Sequence, residues 1–124
     1  MIAHTSVAVK DYEKSKELYA RMLAPLGYSI GMDATEHKAV GFKDAKAQDF
    51  WVSQSESPVG THVAFAAQSA DEVEAFYAAA LAAGAKDNGE PGYRTSYAHG
   101  YFAAFVHDLD GNNIEAVWFD PSKK

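Results

Sequence analysis

Two stretches of the chain carry apolar side chains at helical spacing. The first stripe is Leu18, Tyr19, Met22, Leu23 and Leu26, and the second is Val73, Phe76, Tyr77, Ala80 and Leu81. Spacings of three and four residues place such side chains on one face, so each stretch predicts an amphipathic helix. Asp11 and Ser69 stand where a helix N-cap belongs, and Ser69 is followed by Glu72 at capping-box spacing. Gly27 and Gly84 lie where helices end.

The two helices belong to a repeat. When His4 is placed on His62, an offset of 58 residues, the segments align without gaps for about twenty residues. The identical pairs are Ala8 and Ala66, Tyr19 and Tyr77, Ala20 and Ala78, Leu23 and Leu81, and Ala24 and Ala82. Chance similarity between two alanine-rich helices is the alternative. However, the strand, the helix N-cap, the apolar stripe and the helix-ending glycine all agree between the two segments. The repeat therefore predicts two copies of one structural unit.

Short apolar runs bounded by turn residues predict strands around each helix. The predicted strands are 2–9, 28–32, 39–42 and 50–52 in the first unit and 61–67, 86–88, 103–106 and 114–119 in the second. We expect one domain, 1–124, of class α+β: paired βαβββ modules, 1–57 and 61–121, whose strands form a curved mixed sheet around a cleft. Residues 53–60 would link the modules. The Gly- and Tyr-rich stretch 89–100 is predicted to be an irregular, mobile lid.

Composition narrows the class of protein. The 124 residues contain no cysteine and carry a net charge of −6, which excludes disulfides and zinc–thiolate sites and argues against nucleic acid or membrane surfaces as partners. No apolar run approaches the roughly 20 residues that span a bilayer, and the first ten residues lack a signal-peptide pattern. We therefore expect a cytoplasmic protein.

Three residues on predicted strands suit a metal. His4 and His62 occupy equivalent places in the two units beside small side chains, and Glu115 shares a strand face with Val117 and Phe119. A carboxylate among apolar residues is costly unless it is paired or binds a cation. Two histidines and a carboxylate are typical ligands of a divalent ion such as zinc, nickel, manganese or iron. As alternatives, each histidine is a hydrogen-bonded structural residue and Glu115 caps a sheet edge.

At these residues the chain resembles the vicinal oxygen chelate superfamily, which includes glyoxalase I, fosfomycin-resistance thiol transferases, extradiol dioxygenases and bleomycin-resistance proteins. The resemblance rests on three stretches: IAHTSVAVKDYEKSKELYARMLAPLGY, GTHVAFAAQSADEVEAFYAAALAAGA and YFAAFVHDLDGNNIEAV. It implies paired βαβββ modules, with metal ligands at His4, His62 and Glu115. It also implies a fourth ligand on the last strand of module one, where aligning Asp44 with Asp108 puts Trp51 opposite Glu115; Asp49 is the nearest substitute.

Aromatic residues supply a second hypothesis. Trp51 cannot bind a metal through its indole nitrogen, which only donates, but it can form a flat wall. We expect Tyr97 and Tyr101 to close over the same space, with Arg94 or His99 supplying polarity to a planar or largely apolar ligand. Alternatively, the tyrosines only cover the sheet.

Two functions remain open from the sequence. The first is a small-molecule metalloenzyme, a lyase, transferase or oxygenase, in which a divalent metal polarises a substrate oxygen and Glu115 is a ligand and a possible base. The second is a metal-free protein that sequesters a small molecule, as bleomycin-resistance proteins do. Because each small module leaves sheet edges open, we expect a homodimer.

Overall fold

Two units with the same order of elements follow each other in the computed structural model, which describes residues 2–123. The first unit contains β1 (Thr5–Val9), α1 (Tyr12–Leu23), β2 (Ser29–Ala34), β3 (Ala39–Lys43) and β4 (Phe50–Gln54). The second contains β5 (His62–Ala66), α2 (Ala70–Ala82), β6 (Lys86–Tyr93), β7 (Tyr101–His107) and β8 (Asn113–Phe119). The predicted α+β class with paired βαβββ modules is confirmed.

Each unit forms its own four-stranded mixed sheet. The strand order is β1-β4-β3-β2 in the first sheet and β5-β8-β7-β6 in the second. The strand before the helix pairs in parallel with the last strand of its unit, and the other pairs are antiparallel. β1 and β5 are therefore edge strands.

Side-chain caps start both helices. Asp11 Oδ1 accepts a hydrogen bond from the Lys14 amide at 3.1 Å, and Ser69 Oγ accepts one from the Glu72 amide at 3.2 Å. Both predicted N-caps are confirmed, because each satisfies a first-turn amide that has no partner inside the helix. Glu72 completes the cap one residue earlier than a capping box requires, since its Oε1 accepts from the Gln68 amide.

One core joins the two units. Each helix packs against its own sheet and against the other helix. The ring of Phe50 lies 5.4 Å from that of Tyr19 and 5.0 Å from that of Phe65. Both helical stripes face this core, although Leu81 remains 37% exposed and Tyr77 and Leu26 are only partly buried.

The remaining face of each sheet points away from this core. Phe50 and Val52 of β4 are buried in it, as are Ile114 and Ala116 of β8. Because side chains alternate along a strand, Trp51 and Glu115 lie on the opposite faces, which we call the outer face of the first and of the second sheet.

Two of the differences between predicted and observed element bounds affect candidate site residues. β1 begins at Thr5, where pairing with Phe50 starts, so His4 precedes the strand. β6 continues to Tyr93, which leaves only 94–100 of the predicted lid irregular. The strand tolerates Pro91 because β6 is an edge strand, and register shifts around Gly89, with φ at 149°, absorb the extra residues.

In the described part of the chain, no helix combines the length and apolar character that crossing a membrane requires.

Candidate functional site

Glu115 is a buried carboxylate on the outer face of the second sheet, with 1% of its surface exposed. Its Oε1 lies 2.8 Å from His62 Nε2, and its Oε2 accepts a hydrogen bond from the Tyr101 hydroxyl. The strand register explains this meeting: β5 runs parallel to β8 with Ala64 opposite Glu115, which places His62 two residues away on the same face. Both carboxylate oxygens are thereby satisfied.

Aromatic side chains surround this carboxylate. Phe105 lies directly opposite Glu115 on β7 and belongs to a small buried cluster with Ala103 and Val117. The rings of Tyr97 and Phe119 each meet the ring of Tyr101 edge-on at 5.2 Å. The outer face therefore presents a hydrogen-bonded acid within an apolar, aromatic surface.

Tyr101 is a hydrogen-bond donor at neutral pH. Burial raises the pKa of its hydroxyl to about 12, and the hydrogen bond to Glu115 adds to the shift. The phenol consequently keeps its proton and donates a hydrogen bond to the carboxylate. The His62 ring is about half exposed, at 52%, so solvent or a ligand can reach the histidine side of the pair.

Arg94 stands at the edge of this surface. Its guanidinium lies 5.4 Å from the centre of the Phe105 ring, and its two terminal nitrogens donate to the carbonyls of Gly92 and Glu90 at 2.8 and 2.7 Å. These bonds hold the positive charge of Arg94 over the Phe105 ring. His99, in contrast, lines a separate cavity of about 350 Å³ together with Tyr93 and Lys123.

Trp51 and His4 belong to the first unit. In the first sheet Ser6 pairs with Trp51 as Ala64 pairs with Glu115 in the second, so Trp51 is the structural counterpart of Glu115. Its ring packs on Gly41, where an added Cβ would lie 2.9 Å from Cζ2. His4 is exposed. Because Tyr97 and Tyr101 lie in the second unit, one chain places the predicted wall and its predicted cover on different sheets.

Of the three predicted metal ligands, only His62 and Glu115 meet within one chain. Residues 2–123 contain no group of three histidine, aspartate or glutamate side chains positioned to hold an ion. His62 and Glu115 are suitable donors and lie together, but His4 is on the other unit and Tyr101 occupies the second carboxylate oxygen. Asp49, the substitute fourth ligand, accepts a hydrogen bond from Tyr28 at 2.8 Å.

Sequence reasoning missed two features of this site. It assigned Tyr101 to the cover of a ligand site and did not foresee its hydrogen bond to Glu115, and it did not name Phe105. Pairing β7 with β8 across the turn at 108–112 is the signal that finds both. That register sets Phe105 opposite Glu115 and Tyr101 opposite Phe119.

Comparison with known proteins identifies the family. Residues 1–116 match the model of the Glyoxalase/Bleomycin resistance protein/Dioxygenase superfamily. The chain therefore belongs to this superfamily. No functionally curated protein matches it.

Solved structures confirm the fold. A glyoxalase/bleomycin resistance protein from Albidiferax ferrireducens is 27% identical with a TM-score of 0.78, and the match covers 94% of this chain and 96% of that one. A putative glyoxalase from Bacillus halodurans is 19% identical, with a TM-score of 0.70 and 95% of both chains covered. A glyoxalase/bleomycin resistance protein/dioxygenase family enzyme from Burkholderia phytofirmans is 14% identical, with a TM-score of 0.70, and the match covers 95% of this chain and 98% of that one.

Proposed function

We propose that this protein binds a small, planar or largely apolar organic molecule on the outer face of its second sheet, with Glu115 as the polar anchor. The observation that carries the proposal is the burial of that carboxylate, 1% exposed, among aromatic side chains. Removing a carboxylate from water is costly even when the carboxylate is paired. A polar group placed within an apolar surface is typical of a binding site.

The surrounding side chains suit such a ligand. The rings of Tyr97 and Phe119 meet the ring of Tyr101 edge-on and supply an aromatic surface. His62 and Tyr101 both reach the carboxylate and are only partly buried, so a ligand can exchange hydrogen bonds with them. Arg94 supplies a cation at the margin.

A metal-dependent lyase, transferase or oxygenase is the second candidate, and the observation favouring it is the 2.8 Å approach of His62 to Glu115. The chemistry of these two donors suits zinc, nickel, manganese or iron. A bound ion would polarise a substrate oxygen. One chain does not complete the ligand set, so His4 would have to come from a second copy.

A homodimer in a cytoplasmic setting completes the proposal. His4 and Trp51 belong to the first unit, whereas Glu115 and Tyr101 lie on the second sheet. Two copies arranged with these surfaces together would bring His4 and Trp51 of one copy to Glu115 and Tyr101 of the other. Light scattering at micromolar concentration should then report twice the chain mass, and a monomer mass would contradict this part of the proposal.

Calorimetry and thermal shift separate the two candidates. The purified protein is first assayed for zinc, nickel, manganese and iron, and then titrated with each ion and with a panel of flat aromatic compounds. Binding of flat compounds to the metal-free protein supports the first candidate, and stoichiometric metal supports the second. Glu115→Gln should weaken either interaction about tenfold or more, whereas Glu74→Gln on the exposed side of α2 should change neither. If Glu115→Gln binds the ions and the flat compounds as tightly as the wild type does, Glu115 is not part of the binding site.

A further inference from the structure

A polar turn of the second unit closes the edge of β1. In the turn at 108–112, Asp110 Oδ1 accepts from the Lys10 amide at 3.0 Å, and Asn112 Nδ2 donates to the Ala8 carbonyl at 3.3 Å. Asp108 Oδ2 accepts from the Tyr19 hydroxyl at 2.5 Å. We call this set of contacts the clasp. It joins the end of the first strand to the second unit.

If the two units were identical, an equivalent clasp would join the turn at 44–48 to the edge of β5, but none forms within residues 2–123. Lys46 and Gln48 stand where Asp110 and Asn112 stand in the second unit. Gln48 turns the other way and accepts from the Met32 amide at 2.5 Å. Between this turn and β5 lies a cavity of about 440 Å³.

The edge of β5 beside this cavity is unpaired. The backbone groups of odd-numbered residues bond β8, as the bond from the Ala67 amide to the Val117 carbonyl illustrates. The groups of Ala64 and Ala66 therefore point the other way, where no strand of the described chain pairs with them. Both residues line the cavity.

The floor of the cavity is aromatic. Tyr28, Phe50 and Phe65 line it, and the ring of Phe65 meets those of Tyr28 and Phe50 edge-on at 5.4 and 5.0 Å. Aromatic rings of this kind suit apolar groups and attract cations to their faces.

The rim of the cavity is acidic. Asp44, Asp49 and Glu72 line it together with a single cation, Lys46. One oxygen of each carboxylate is hydrogen-bonded, to turn amides, to Tyr28 and to the Gln68 amide respectively. Within residues 2–123, none of the three forms an ion pair. Carboxylates without a cationic partner beside an apolar floor complement a ligand that is both positively charged and apolar.

We propose that this cavity binds an organic ammonium ion. The ammonium group would lie at the rim against Asp49 and Glu72 and donate to the free carbonyls of the β5 edge, as Asn112 donates to Ala8 in the clasp. The apolar part would lie on Phe50 and Phe65. The proposal does not depend on the function of Glu115, which lies on the outer face of the sheet and does not line this cavity.

Nuclear magnetic resonance titration with 2-phenylethylamine tests the proposal, with 2-phenylethanol as the uncharged control. We expect saturable amide shifts at Ala64, Ala66 and Gln68 with the amine and at least tenfold weaker binding of the alcohol. Raising the salt concentration should weaken amine binding, because a partly exposed ion pair is screened.

Two variants and a matched control locate the charge contact. Asp49→Asn and Glu72→Gln each keep an oxygen that accepts the existing hydrogen bond, so both should fold. Each should weaken amine binding about tenfold, while Asp71→Asn, exposed on α2 outside the cavity, should leave it unchanged. The proposal is overturned if the amine and the alcohol bind equally well. It is also overturned if Asp49→Asn and Glu72→Gln bind the amine as tightly as the wild type does, or if the amide shifts are confined to the surface around Glu115.

Discussion

The two units share one backbone plan and differ in what they place on it. At equivalent register positions the first sheet carries Trp51, packed on Gly41, and the second carries Glu115, hydrogen-bonded to His62 and Tyr101. At equivalent turns, the second unit closes on β1 through Asn112, whereas the first leaves a cavity beside β5.

This comparison separates the core-facing positions, which are alike in the two units, from the outer faces and turns, which differ. The core-facing positions remain apolar in both units, because both must bury one face of a sheet against a helix. The outer faces and turns carry no such requirement. The first unit carries Trp51 and an open cavity, and the second carries a buried acid and a closed turn.

Breaking the clasp should have the largest effect. The buried Asn112 side chain makes hydrogen bonds with the Thr61 amide, the Ala8 carbonyl and Asp108 Oδ2. Asn112→Ala should lower the free energy of unfolding by about 3 kcal/mol, roughly 1 for each bond. Its counterpart Gln48→Ala, which loses one exposed bond, should cost about 1 kcal/mol or less. Urea denaturation measures both, and equal costs would show that the two turns do not differ energetically.

Replacing the buried acid should remove the site and destabilise the protein. Glu115→Met keeps the volume but leaves the Tyr101 hydroxyl and the His62 ring without their partner, so the free energy of unfolding should fall by about 1–3 kcal/mol in urea denaturation. Ligand or metal binding at the outer face should disappear in the same variant. A Glu115→Met protein that is as stable as the wild type would show that these hydrogen bonds add nothing to folding, and one that still binds would contradict the site.

The corresponding change in the first unit, at Trp51, should lower the stability of the fold. Trp51 is partly buried, so Trp51→Ala should lower the free energy of unfolding by about 1–2 kcal/mol through lost apolar contact. If Trp51 also forms a ligand wall in the dimer, the same variant should weaken a flat ligand by about 1–3 kcal/mol. Thermal shift with and without ligand distinguishes the two effects. Unchanged binding would confine the site to the second sheet.

Tyr101→Phe should have the smallest effect at neutral pH, about 1 kcal/mol for one hydrogen bond. The folded-state pKa of this phenol, about 12, exceeds its ordinary value. Its contribution is therefore complete below about pH 10, the ordinary tyrosine pKa, and is lost as the pH rises toward 12. Removing the hydroxyl should flatten the fall in stability over that interval. Denaturation profiles that remain parallel for variant and wild type would contradict this assignment.

Much of the fold could be read from local pattern. Helical spacing located both helices, Asp11 and Ser69 located their starts, and the 58-residue offset implied that the units are alike. The predictions were wrong where strand pairing, rather than local sequence, decides where a strand begins or ends. His4 looked like part of a strand because its neighbours alternate, but a strand needs a partner, and pairing with β4 starts only at Thr5. The Gly- and Pro-rich stretch after Lys86 looked irregular, but an edge strand tolerates both residues.

The sequence by itself indicated which helix faces point inward, because apolar side chains recur at helical spacing. It also identified Glu115 as a carboxylate among apolar residues and His62 as the repeat equivalent of His4. Tertiary structure alone decided which of the candidates meet. Strand register brought Tyr101 and His62 to the two oxygens of Glu115, whereas His4 and Trp51 belong to the first unit. Contacts between residues 14 to 53 positions apart depend on how strands are ordered in a sheet, and that order is a property of the assembled chain rather than of any segment within it.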